Sequence, residues 1–274
     1  MNTPTQRREV VESLKQKGLS KRAACKWSGQ SRRVTQYEAK TPIEDEALIK
    51  KMKQVSLAHP RYGYRRVAVL VKASQSCVWR LWKQHGFKLG RKRLKKRLVI
   101  QKGGLPRPHK AEFPDHVWTY DIIHDRLADG SEFKMLCILD EFTRECLAIY
   151  VAKSIPARVV KAVLARVMGT GRKPKYLRSD NGSQFTATPV KIWLKAAAVG
   201  PAFIDPGSPW QNGFVESFHG KLRDECLSLE YFNSQKDAEV VIEQWRHAYN
   251  TERPHSSLDY KTPAAFAAQF VNKR

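Results

Sequence analysis

Val117-Trp118-Thr119-Tyr120-Asp121-Ile122-Ile123-His124 alternates with a period of two. Trp118, Tyr120 and Ile122 fall on one face and Thr119, Asp121 and Ile123 on the other, as in a β-strand. Downstream, Asp129-Gly130 predicts a hairpin turn into a second strand at 133–139, and a third follows at 145–151. Residues 156–168 carry an apolar helical stripe of Val159, Val160, Val163, Leu164 and Val167, ended by Gly169 and Gly171. Tyr176–Ser179 reads as a fourth strand, 189–198 as a helix stopped at Gly200, and 202–204 as a fifth strand. Helices near 214–229 and 235–249 close the pattern. A three-strand meander followed by alternating helix and strand predicts an α/β domain, a mixed five-stranded sheet with flanking helices.

Asp121 stands in the middle of the first of these strands. Asp180 ends the fourth, in Arg178-Ser179-Asp180-Asn181-Gly182-Ser183-Gln184-Phe185, and Glu216 lies in the first turns of the helix that follows Ser208-Pro209-Trp210-Gln211-Asn212-Gly213. If the first and fourth strands are neighbours, the three carboxylates converge. Converging carboxylates suit hard divalent cations, and two Mg²⁺ ions roughly 4 Å apart, with Mn²⁺ as a substitute, would serve phosphodiester chemistry without a protein nucleophile. His124 is an odd number of residues from Asp121 on the strand and is expected to face away. His219 and Cys226 read as packing residues.

The charge divides the chain differently. Of the 50 Lys and Arg residues, 29 lie in residues 1–110 against 6 acids, whereas 111–274 hold 21 against 20. A basic front half joined to a neutral domain predicts a nucleic-acid-binding module attached to one with a different job. The longest apolar runs are too short to span a bilayer, and five widely spaced cysteines without a Cys-x-x-Cys pair support neither a disulfide framework nor a structural zinc site. A reduced, cytoplasmic protein with no membrane partner is expected.

Residues 1–40 predict a helix-turn-helix-like unit. Ser20 would cap the helix that begins at Lys21, Ser28-Gly29-Gln30-Ser31 would turn the chain, and Arg32 and Arg33 would open a second helix toward DNA. A plain helical hairpin has a similar pattern. Residues 41–90 predict a second helical DNA-binding unit, in which Tyr62, Tyr64, Arg65 and Arg66 combine aromatic faces with phosphate-seeking charge. Residues 91–110 read as a basic linker, with Arg91, Lys92, Arg93, Lys95, Lys96 and Arg97 tracking a polyanion. The catalytic domain would span 111–230 and a C-terminal helical extension 231–274.

Arg223, two helical turns beyond Glu216 on the same face, is placed to meet a phosphate beside the metal site, and Lys221 points elsewhere, toward another phosphate or toward solvent. Trp210, Gln211 and Asn212 lie in a loop that would contact DNA, where Trp210 would either stack on an unpaired base or anchor the loop.

Trp118-Thr119-Tyr120-Asp121, the Arg178–Phe185 and Ser208–Arg223 strings and Tyr249-Asn250-Thr251-Glu252-Arg253-Pro254-His255 together resemble the second-frame product (OrfB) of bacterial transposases of the insertion sequence three family, relatives of retroviral integrases. The resemblance covers nearly the whole chain. It implies a ribonuclease-H-like core in which Asp121, Asp180 and Glu216 are the metal-binding DDE triad, with Arg223 as the basic residue that follows the glutamate. It also implies Mg²⁺-dependent cleavage at the ends of the element and joining of a 3′-hydroxyl to target DNA. The implied partners are double-stranded DNA (terminal inverted repeats and target), the upstream-frame OrfA product in a frameshifted fusion, and further copies of the chain in a synaptic complex. Two other readings share parts of this pattern: a non-catalytic DNA-binding regulator, and a ribonuclease H acting on RNA–DNA hybrids.

Overall fold

The computed structural model describes residues 4–35, 41–89, 109–180, 182–204 and 209–273. It comprises two compact units, Met1–Gln54 and Val55–Arg274. Arg91, Lys92, Arg93, Lys95, Lys96 and Arg97, expected to track DNA, lie outside the described residues.

In the first unit, α1 (Pro4–Gln16), α2 (Lys21–Ser28) and the single turn α3 (Arg32–Thr35) enclose a small core of Val11, Ala24 and Cys25 flanked by Leu14 and Leu19. Ser20 caps α2 by accepting from the Ala23 amide at 3.3 Å, and Gly29 ends it at φ 64°, a left-handed cap that glycine adopts without strain. The turn expected between two helices is therefore present, with Arg32 exposed on α3. Thr41-Pro42, read as a boundary, instead starts α4 (Thr41–Ala58), because a proline in the first turn gives up no intrahelical hydrogen bond. The division between the two units falls within α4, not at residue 41.

The second unit opens with two short helices, α5 (Tyr64–Leu70) and α6 (Gln75–Gln84), which bury Val67, Ala68, Val78, Leu81 and Trp82. The sheet follows: β1 (Val117–Arg126), β2 (Glu132–Asp140), β3 (Cys146–Ala152), then α7 (Ala157–Met168), β4 (Tyr176–Ser179), α8 (Ser183–Thr186), α9 (Thr188–Ala196) and β5 (Gly200–Phe203). After it come α10 (Gly213–Leu222), a π-helical turn Arg223–Leu227, α11 (Gln235–Thr251) and α12 (Pro263–Ala267). The strand order is β3-β2-β1-β4-β5, with β1 antiparallel to β2, β2 to β3, and β4 parallel to both β1 and β5. Asp129 builds the hairpin turn: its Oδ1 accepts from the Ser131 amide at 2.8 Å and hydroxyl at 2.6 Å, and Gly130 takes φ 83°.

The period-two pattern sorts the two cores. Trp118, Tyr120, Leu136 and Ile138 meet Val160, Val163 and Leu164 of α7 and Val190 and Leu194 of α9. On the opposite face, Ile123, Phe133, Met135, Cys137 and Leu139 meet Val215, Phe218 and Leu222 of α10 and Ala238, Ile242 and Tyr249 of α11. One core thus runs across residue 230, where the sequence reading divided the catalytic domain from a helical extension.

Candidate active site

Burial of apolar side chains on both faces puts β1 at the centre of the sheet, and its parallel neighbour is β4. Thr119 pairs with Arg178, and two residues farther along the two segments stand Asp121 and Asp180. The adjacency on which the convergence of the acids depends is therefore present.

β4 is anchored by a buried ion pair. Nε of Arg178 donates to Oε1 of Glu141 at 2.6 Å with both side chains wholly out of solvent, and Nη2 donates to the His109 carbonyl at 2.9 Å. Beyond the strand, the Asp180 carboxylate turns the chain by accepting from the Gly182 amide at 2.9 Å. A Cβ on Gly182 would come within 2.9 Å of the Asp180 Oδ1, so a larger residue there would make that carboxylate shift.

α10 is tied to β1 at its start. The Thr119 hydroxyl donates to Oδ1 of Asn212 at 2.6 Å, and both residues are buried. Val215, Phe218 and Leu222 face the core, which leaves Glu216 exposed one turn into the helix.

Asp121 accepts from the Ile122 amide at 2.7 Å. Its pKa is raised to about 6, chiefly by burial; the Ile122 amide opposes the shift, and the charges of Asp180 and Glu216 add to it. Asp121 thus lies within the field of both other carboxylates. An all-oxygen donor set under mutual repulsion suits a divalent cation, which would relieve that repulsion. Among the described residues no three His, Cys, Asp or Glu side chains stand close enough together to hold a metal ion as they are placed. Glu216 is exposed.

The sequence reading missed His219. It is buried one turn after Glu216, and its Nδ1 lies 3.7 Å from Oδ2 of Asp121. Burial, then the nearby Arg223, lowers its pKa to about 4, so the contact is between a neutral imidazole and a carboxylate. The i, i+3 spacing from Glu216 to His219 was the available signal.

The expected DNA-contacting residues separate into three groups. Arg65 and Arg223 are exposed, as is Arg32, and Lys221 is half-buried. The side chains of Arg33 and Trp210 lie outside the described residues. Gln211, Asn212 and Arg66 are corrected. Gln211 and Asn212 are buried, Asn212 by its bond to Thr119, because they end the loop against the sheet and do not project from it. Arg66 donates to Glu225 at 3.2 Å, and its guanidinium stands 5.1 Å from the centroid of the Tyr62 ring, so its charge is engaged within the protein. Glu225 also receives Nε and Nη2 of Arg253, each at 2.6 Å.

The integrase core domain family matches residues 111–209 and again 197–263. An insertion element IS407 protein of 31.7 kDa from Burkholderia multivorans is 36% identical over 256 residues, covering 92% of this chain and 91% of that protein. The chain belongs to the integrase-core transposases of bacterial insertion sequences. The transposase for insertion sequence element IS904 of Lactococcus lactis is 27% identical over 244 residues, covering 83% of this transposase and 96% of that one. A chain of the simian T-cell lymphotropic virus intasome, 15% identical, superposes with a TM-score of 0.52 over 79% of this chain and 74% of that one, a likeness of fold. The sheet and its helices are therefore the ribonuclease-H-like arrangement that the resemblance implied. The transposase is a polynucleotidyl transferase of DNA transposition, from a family that uses divalent metal and binds DNA. Among the described residues no helix is long and apolar enough to cross a membrane.

Proposed function

We propose that Asp121, Asp180 and Glu216 are the metal-binding triad with which this transposase cuts DNA at the ends of its element and joins the freed 3′-hydroxyl to target DNA. The observation that carries the reading is the Asp121 carboxyl, half-buried on the central strand beside the end of β4 and burdened by the charges of the other two acids. Two Mg²⁺ ions, or Mn²⁺ in their place, would activate the attacking oxygen and stabilise the leaving one. Asp121 from the middle of β1 and Asp180 from the end of β4 would hold them, and Glu216 would close the site from α10. His219, neutral and beside Asp121, would limit the directions that carboxylate can turn. Arg223, exposed on the Glu216 side of the helix, would bind a phosphate of the DNA, and the exposed Arg32 and Arg65 would bind others.

The partners are terminal inverted repeats and target DNA, the upstream-frame OrfA product in a frameshifted fusion, and further copies of this chain in a synaptic complex at the bacterial nucleoid. The test is joining of labelled terminal-repeat DNA by purified protein in Mg²⁺. Asp180→Asn and Glu216→Gln should each abolish joining, as should EDTA, while duplex binding stays measurable. Joining by Asp180→Asn at the wild-type rate overturns the triad, and a wild-type protein that binds ends without nicking them in Mg²⁺ or Mn²⁺ is a DNA-binding regulator.

A further inference from the structure

His219 is buried on α10, 7% exposed, and a histidine in such a place ordinarily bonds through at least one ring nitrogen. This one does not. Its Nε2 is buried without a hydrogen-bond partner, and among the described residues the polar contact of Nδ1 is Oδ2 of Asp121 at 3.7 Å, too far for a hydrogen bond. A residue that only packed would gain nothing from an imidazole placed so.

The two atoms that face each other define what fits between them. Oδ1 of Asp121 accepts the Ile122 amide at 2.7 Å, and it is the other oxygen, Oδ2, that lies beside the ring. A neutral imidazole carries one proton. With that proton on Nε2, the Nδ1 lone pair confronts a carboxylate oxygen, two acceptors without a donor. A water donating to both would set them roughly 4.4 Å apart, at hydrogen-bond lengths of about 2.8 Å and a tetrahedral angle. Two donors each roughly 2.1 Å from one metal ion stand about 3.0 Å apart at a right angle and about 4.2 Å apart when opposed. The observed 3.7 Å is short for the water and within the range for the ion.

Glu216 precedes His219 by three residues, so the two share a face of α10. The helix therefore brings a carboxylate and a nitrogen to the same side.

We propose that His219 is a fourth metal ligand, its Nδ1 coordinating the same divalent ion as Oδ2 of Asp121. The proposal rests on the triad reading and deepens it, because a nitrogen donor alters which metal is favoured. Imidazole binds first-row transition ions more readily than Mg²⁺, which seeks oxygen. The position shared by Asp121 and His219 should therefore prefer Mn²⁺ or Co²⁺ to Mg²⁺.

The test reads the bound metal and not the reaction. Mn²⁺ is titrated into the full-length protein, with and without duplex DNA, and the bound ion is examined by electron spin-echo spectroscopy, in which a coordinated nitrogen modulates the decay. The wild type should show nitrogen modulation that shifts when its histidines are ¹⁵N-labelled. His219→Asn, which offers an amide oxygen instead, should lose the modulation, keep Mg²⁺ binding and bind Mn²⁺ at least about tenfold more weakly, the smallest loss usual for groups that support a metal site. Bound Mn²⁺ without nitrogen modulation in the wild type overturns the proposal and leaves the triad standing. Modulation that persists in His219→Asn belongs to another histidine and also overturns it. Asp121→Asn should lose the ion and the modulation together; Mn²⁺ binding at wild-type strength in that variant, or none in the wild type, overturns the triad itself. The deciding spectrum is that of the wild type, so it does not depend on whether His219→Asn folds.

Discussion

The hydroxyl of Thr119 reaches Oδ1 of Asn212 at 2.6 Å, joining the strand that carries Asp121 to the start of the helix that carries Glu216. The two residues are distant in the chain, and the bond is buried at both ends. It sets where α10 begins relative to β1.

Thr119→Val should therefore cost about 1–3 kcal/mol, since it leaves the Asn212 carbonyl buried without its donor. It should also slow joining in Mg²⁺ by more than it weakens duplex binding, because it moves Glu216 and leaves the basic surface intact. Thr119→Ser should recover both. Thermal unfolding and single-turnover joining measure the two effects.

The buried pair of Arg178 and Glu141 anchors β4 two residues before Asp180. Glu141→Gln leaves a guanidinium without its counter-charge and should cost about 3–5 kcal/mol. A loss below about 1 kcal/mol in chemical denaturation would mean that the guanidinium finds another acceptor.

Glu225, in the π-helical turn that follows α10, ties that turn to α5 and to Arg253 just beyond α11. Arg253 is buried and Arg66 only partly so. Glu225→Gln should cost about 3–5 kcal/mol, as expected when a buried pair loses one partner, and Arg66→Met should cost about 1 kcal/mol or less, as for a partly solvated pair. Amide exchange in Tyr64–Leu70 should quicken in both variants, and joining should survive in Arg66→Met.

His255 should make the protein acid-sensitive. Burial, followed by the charges of Lys221, Arg253, Arg144 and Arg66, lowers its pKa in the folded protein from 6.5 to about 3. As pH falls through 6.5 the unfolded chain takes up a proton that the folded chain refuses until about pH 3, so stability is full above 6.5 and declines through that window. Between pH 6 and 4 the decline due to this group should approach roughly 1.4 kcal/mol per pH unit. His255→Gln should flatten the profile there; an unchanged slope would show that the imidazole titrates normally.

Much of the fold was legible because it rests on local periodicity. The alternation in residues 117–124 placed β1 and sorted Trp118 and Tyr120 from Asp121, and Tyr176–Ser179 is a strand within the bounds read for it. The three acids stood out by their places in such elements: Asp121 in the middle of an alternating strand, Asp180 where a strand breaks at Asn-Gly, and Glu216 in the first turns of a helix. The errors lie where local pattern carries no direction. Gln211 and Asn212 looked like loop residues reaching for DNA, but the partner that turns them inward, Thr119, is remote in sequence. Arg66 looked like a phosphate ligand for the same reason, since nothing beside it announces Glu225.

By itself the sequence determined the strand and helix pattern, the basic front half and the three acids, because hydrophobic period, turn residues and charge are properties of short segments. Tertiary structure alone decided that β1 lies beside β4, that His219 sits against Asp121, and which cations are paired internally and which crowd around Lys221. Those facts depend on pairings between distant parts of the chain, chosen by burial of both sheet faces at once, and no short segment encodes them.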